Sequence, residues 1–438
     1  MTHPFQTAKV NTAPPGTMGR RVRSPILAKT LRFLVVLGPG LIVMVSDNDA
    51  GAVSSYTQAG GQYGLTLLWV LAALLPCTYF VQEMVGRLGI ATGKGHAAMI
   101  FQRFGKWWGI FSIADLELVN FFTLVTEFAA IALAARALGL PPQLAVPAAA
   151  IGLLAMVLTG SYRRWERITL FLCAIDLIWL LLAVKLGPSF LSVAAATITP
   201  NVPKGGITSD FIFLVIAIVG TTIAPWQLFF QQSCVADKRL RFADLKAERL
   251  ETFIGAAIMI VAAGCMMLVG DAARRAGLNY TDPAQMAVFL GGAAGPWVKN
   301  GILLLMINAA VLGATTISLS SAWAYGEVKG WPHSLNMTFS KAPGFYAAYA
   351  LAVIAAAAIV LIPGAPLQLI ILGVQVLAGI MLPSAIIFLQ LLLNDREVLG
   401  EYVNKPWNNV INWTIITLLF SLSLVLAVQV VAPNLFPK

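Results

Sequence analysis

Asp47 and Asp49 stand two residues apart within an apolar run, in the stretch Ser46-Asp47-Asn48-Asp49-Ala50-Gly51-Ala52. Carboxylates are hard oxygen donors, and two of them beside an Asn suit a hard cation. Each ionised Asp costs ~2.5–3.5 kcal/mol at the centre of a membrane helix, so both being tolerated there implies a cavity filled with water or a cation. As a surface loop the same patch would be unremarkable, but apolar residues resume after Tyr63 with no room for another span. A second interruption, Gly220-Thr221-Thr222-Ile223-Ala224-Pro225-Trp226-Gln227, lies in a later apolar run. Pro225 has no amide proton, so it breaks the helical ladder and frees carbonyls about one turn upstream, near Thr221 and Thr222. Alone, this is an ordinary proline kink. Paired with the first break it means more, because an Asp facing freed carbonyls makes an oxygen-rich cation site.

The elements that position these residues are membrane spans. The chain has 438 residues, 58% hydrophobic and 11% charged, against roughly 25% charged in a soluble domain. Apolar stretches of about 20 residues recur nearly end to end. Bounded by Gly, Pro and charge, they give about eleven spans near 31–59, 64–86, 109–137, 143–160, 166–187, 208–235, 250–270, 295–325, 344–362, 366–393 and 408–431. The expected fold is therefore an all-α polytopic membrane protein. The breaks fall in the first and sixth spans, five apart, as expected of two inverted five-helix repeats that each begin with a broken helix. The expected domains are a cytoplasmic tail, 1–30, and a transmembrane domain, 31–431. Its repeats cover about 31–187 and 208–393, with an additional span at 408–431.

The net charge of +10 does not point to nucleic acid, because the basic residues alternate by side. Of the 29 lysines and arginines, 22 fall on the side of the N-terminus and 7 on the other. The positive-inside rule then predicts a cytoplasmic N-terminus and an outside C-terminus in a plasma-membrane protein. Cys77, Cys173, Cys234 and Cys265 lack paired metal-ligand spacing, which argues against a zinc site or disulfide framework. The first 24 residues are polar, with Pro14, Pro15 and Gly16, and read as tail and not as a signal peptide. With no histidine cluster or nucleophile–base pair in the spans, an enzyme is not expected, nor is a bound cofactor. Gly291, Gly292 and Gly295 form no phosphate loop. Asp115 and Glu117 are expected to reach interfacial water, and Asp176 to make a polar contact between helices. Trp107 and Trp108 read as interfacial anchors.

Several segments resemble the Nramp family of divalent-metal transporters. Gly38-Pro39-Gly40, Asp49-Ala50-Gly51-Ala52 and Gln58-Ala59-Gly60 align without gaps to the family's Gly-Pro-Gly, Asp-Pro-Gly-Asn and Gln-Ala-Gly. Arg87-Leu88-Gly89-Ile90-Ala91-Thr92-Gly93-Lys94 is similar to the segment after its second span, and Tyr162-Arg163-Arg164-Trp165-Glu166-Arg167 to its basic loop. Gln375 and Leu382-Pro383 sit where span ten of the family has Gln and Leu-Pro. The resemblance implies a LeuT-type fold and a metal site built from Asp49, the carbonyl of Thr221, Gln375 and the positions of Ala52 and Ala224. Asp47 is a further candidate ligand. Trp226, Gln227, Gly51 and Pro225 are expected to line or gate the cavity.

The departures from the family pattern carry a second expectation. The family's Asn is Ala52, and its Met-Pro-His-Asn is Ala224-Pro225-Trp226-Gln227. A thioether is a soft ligand that favours manganese, iron and later metals, so losing it removes that preference. A roomier, harder site suits partly hydrated magnesium, which binds through one or two carboxylates, and the pattern is similar to the Nramp-related magnesium transporters. Glu127 keeps one member of the family's acidic pair on a proton route, but Leu124 replaces the other. His3, His96 and His333 lie outside the spans, so uncoupled uptake of Mg2+, with Mn2+ as a further cargo, is the expectation. Membrane potential alone gives a divalent ion ~4.6 kcal/mol per 100 mV. The rivals are a proton-coupled Mn2+/Fe2+ symporter and an amino-acid symporter of the same fold, whose carboxylate Asp47 and Asp49 would repel.

Overall fold

A chain this apolar can satisfy its backbone in lipid by pairing it within helices. A computed structural model, describing residues 38–203 and 206–431, is helical throughout its regular elements. The order is α1 (Pro39–Ser46), α2 (Ala50–Tyr63), α3 (Leu68–Thr92), α4 (His96–Phe104), α5 (Lys106–Ala137), α6 (Pro142–Val157), α7 (Tyr162–Ile175), α8 (Ile178–Leu186) and α9 (Phe190–Ile198). It continues with α10 (Ser209–Thr222), α11 (Pro225–Lys238), α12 (Leu245–Arg275), α13 (Pro283–Ala294), α14 (Pro296–Lys329), α15 (Pro343–Val360), α16 (Leu367–Leu393), α17 (Arg396–Leu399) and α18 (Pro406–Val431).

Among the described residues, nine helices or joined helix pairs are long and apolar enough to cross a membrane. The shorter apolar α6 and the α1–α2 pair fall where the sequence reading places its other two spans. The expected tail, 1–30, the beginning of the first span and His3 lie outside the described residues. Three short helices, α4, α9 and α13, were not foreseen, because pieces of 9, 9 and 12 residues are too short to register as spans.

Both breaks are built alike. In the first, α1 ends on Asp47, and Asp49 takes an extended conformation (φ −70°, ψ −172°) as the N-cap of α2. In the second, Ile223 and Ala224 are extended, and Pro225 is the first residue of α11. At that position proline loses nothing, since the first amides of a helix have no partner within it. Its missing N–H is felt upstream instead, at the carbonyl of Thr221. Lys238, at the end of α11, is paired with Glu166 of α7 at 2.7 Å and lies close to Gly38. The free ends of α1 and α11 therefore share one side of the molecule.

Candidate ion site at the two helix breaks

The N-terminus of α2 exposes amides that its own helix cannot pair, and two carboxylates take them. Asp49 Oδ1 accepts from the Ala52 amide at 2.9 Å, and Glu127 Oε2, from α5, accepts from the Ala50 amide at 3.1 Å. Negative charge is favoured there by the helix dipole as well. Gly313 of α14 lets the two acids approach: a Cβ at that position would lie 2.8 Å from both Asp49 Cβ and Glu127 Cδ. Glu127, expected as the remnant of a proton route, thus has a defined structural partner. Asp49, Glu127 and Ala52 are all buried.

Asp47 is held from another direction. Gln227 of α11 donates through Nε2 to Asp47 Oδ1, and Gln82 of α3 donates through Nε2 to Gln227 Oε1 at 2.9 Å. The other Asp47 oxygen, Oδ2, is buried and has no hydrogen-bond partner, as is true of Asn48 Oδ1, Thr221 Oγ1 and Gln375 Nε2. Gln375 reaches the first break because Gly51 has no side chain; a Cβ there would fall 1.8 Å from Gln375 Nε2. Tyr56 of α2 and Thr222 of α10 join the two breaks through their hydroxyls at 2.8 Å. Ala224 is 3% exposed. Trp226 is fully buried, packs on Phe230 with centroids 6.2 Å apart, and accepts at its carbonyl from Ser320 Oγ at 3.1 Å.

Unpaired buried polar atoms cost about 1–3 kcal/mol each, and charged ones more. Those at the breaks are mostly oxygens, the donor type that a hard cation takes. Among the described residues no group of three or more His, Cys, Asp or Glu is placed to hold a metal. An ion at this site would therefore draw on amide, hydroxyl and backbone oxygens beside the carboxylates.

Elsewhere the structure corrects one expectation. Asp115 does not sit in interfacial water but is buried and accepts from Ser384 Oγ of α16. Asp176 makes the foreseen contact between helices, accepting from Asn308 Nδ2 at 2.8 Å. His96, on α4, is fully buried against Phe229, with Nδ1 3.0 Å from Gln232 Oε1. Burial pushes its pKa down to about 4. Gln82, Tyr56 and Gly313 were missed from the sequence. Gln82 offered a faint signal, a lone amide in an apolar span; Gly313 offered none.

A family model described as natural resistance-associated macrophage protein-like (Nramp) matches residues 40–429. The divalent metal cation transporter MntH of Staphylococcus aureus (strain JH9) is 26% identical over 429 residues, covering 91% of this chain and 92% of that protein. A mutant of the Eremococcus coleocola manganese transporter superposes with a TM-score of 0.76 at 19% identity, over 96% of this chain and 90% of that one. The amino-acid-bound MhsT, solved with L-phenylalanine, superposes with a TM-score of 0.55 at 12% identity, over 90% and 98%. These structural likenesses show a shared fold.

Proposed function

This chain belongs to the Nramp family, and we propose that it works as a secondary transporter whose cargo is a divalent metal ion. The observation that carries the reading is a buried carboxylate pair at a helix break, with Asp47 Oδ2 unpartnered beside the break that frees the Thr221 carbonyl. Asp49, Asp47, Thr221 and Gln375 are the proposed ligands, with Ala52 and Ala224 at the wall of the site and Trp226 beside it. The bias of lysine and arginine supports an N-terminus in the cytoplasm and a C-terminus outside.

Two readings of the cargo compete. Likeness to the relatives favours manganese, since their names speak of manganese and of divalent metal cations; the family resemblance adds iron and proton coupling to that reading. At 26% and 19% identity that likeness does not fix the ligands, and here Ala224 supplies no soft sulfur. A donor set made of oxygens favours magnesium, with manganese carried beside it. Trp226 and Leu124 carry no titratable proton, which supports uncoupled movement down the membrane potential.

Flux into proteoliposomes tests both points. The parent is expected to take up Mg2+, Asp49→Ala to lose at least about tenfold of that flux, and Ala224→Met to shift Mg2+/Mn2+ competition about tenfold toward Mn2+. Uptake of Mn2+ with Mg2+ ignored would establish the manganese reading instead. Concentrative uptake driven by external acid would overturn the uncoupled one.

A further inference from the structure

Asp47 is satisfied differently from Glu83, the acid beside its amide relay. Glu83, next in sequence to Gln82, is neutralised by Arg87 at 3.1 Å and Arg249 at 2.6 Å. Asp47 has no basic partner within 4 Å among the described residues; one oxygen receives a neutral amide and the other receives nothing. A carboxylate only accepts hydrogen bonds, so it fixes the polarity of the amides behind it. Gln227 must point Nε2 at Asp47, its Oε1 then faces Gln82, and Gln82 must donate. The far end of the relay, Gln82 Oε1, is left buried and unpartnered. Both glutamines are fully buried, so the relay is screened from water.

We propose that Gln82 and Gln227 are positioning residues that keep Asp47 a one-oxygen ligand and so discriminate against large dications such as calcium. The proposal rests on the assignment of Asp47 as an ion ligand made under the transport reading above. With Oδ1 turned to Gln227 and one of its lone pairs taken, Asp47 presents Oδ2 to an ion. Small octahedral dications bind carboxylates through one oxygen and keep several waters, whereas calcium takes six to eight oxygens and often both of a carboxylate. Removing the clamp returns Oδ1 to the site and lets the same acid chelate a larger ion.

The test is isothermal titration of the purified full chain with MgCl2 and with CaCl2, beside the flux assay. Gln227→Leu is expected to raise calcium affinity relative to magnesium by about tenfold, the scale of one charge-assisted hydrogen bond, and Gln82→Leu, which leaves Gln227 in place but unsupported, to raise it by about twofold. A loss of packing alone would weaken both ions and leave their ratio unmoved. In an Asp47→Asn background neither substitution is expected to change the ratio further, because the acceptor they act through is gone. An unchanged Ca2+/Mg2+ ratio in both glutamine variants overturns the clamp, and so does an equal shift with and without Asp47. If the ratio moves as expected but no dication crosses the liposome, the transport reading falls and the clamp stands. A parent that binds neither ion overturns both.

Discussion

Asp49 caps α2 through the Ala52 amide, and on the proposed reading it also offers charge to an ion. Asn caps a helix about as well as Asp does, whereas Ala loses about 1 kcal/mol. Asp49→Asn is therefore expected to melt within a degree or two of the parent, by about the scaling of small stability changes in large domains, and still to lose ion binding. If it melts as low as Asp49→Ala, the cap account of this residue is wrong. Glu127 poses the complementary question. Its contact with the Ala50 amide needs only an acceptor oxygen, which glutamine retains. Glu127→Gln should keep uptake within about twofold of the parent with an unaltered pH profile; a flattened profile would return Glu127 to a proton route.

At the scale of elements, each break is a helix end placed where two short helices meet. Pro225→Ala restores an N–H opposite the Thr221 carbonyl and lets α10 run on into α11. The expected result is an unchanged or higher melting temperature with ion affinity down about tenfold, the loss of one charge-assisted contact. A variant that melts lower and binds normally would show that the break is packing and not ligation. The short helix α4 carries a different dependence. His96 drops from its ordinary 6.5 to about 4 because burial penalises its charged form. The unfolded chain therefore gains a proton first as pH falls, and the contribution of neutral His96 is full above about 6.5 and is lost on the way down to about 4. Thermal melts of the parent should fall across that window more steeply than those of His96→Gln. Parallel curves would mean that the imidazole is not held neutral.

On the side where α1 begins and α11 ends, a seam of polar contacts joins α11 to its neighbours. Lys238 pairs with Glu166, Ser233 donates to Glu327 at 2.6 Å, and Asp237 accepts from Ser334 and Leu335. Cys234 is buried in the same seam, 3.1 Å from the Tyr162 hydroxyl. Past the other end of α2, a cavity of about 690 Å³ opens beside Gln62, Tyr63 and Arg274. Alternating access requires this seam to part at one stage of the cycle. With Cys77, Cys173 and Cys265 replaced by Ala, a membrane-impermeant thiol reagent should label Cys234 only from the N-terminal side, and about tenfold faster in Glu166→Gln, where the ion pair is gone. Labelling from the opposite side, or none in either protein under turnover, would contradict this assignment of the gate.

The spans and both breaks were legible in the sequence because they are local violations of a strong pattern. Asp47, Asp49 and Pro225 stand out in any run of residues that must satisfy itself in lipid, and no distant partner is needed to see them. The rest depends on separation. Gln227 meets Asp47 across 180 positions and Gln82 across 145, and Glu127 reaches Ala50 across 77. Contacts of that range leave no periodicity, since each side chain is ordinary in its own helix. Composition determined that an oxygen-rich interruption would lie in the membrane. Only the packing of α3, α5, α11 and α14 against the α1–α2 break decided which oxygens are already bonded and which are left without a partner.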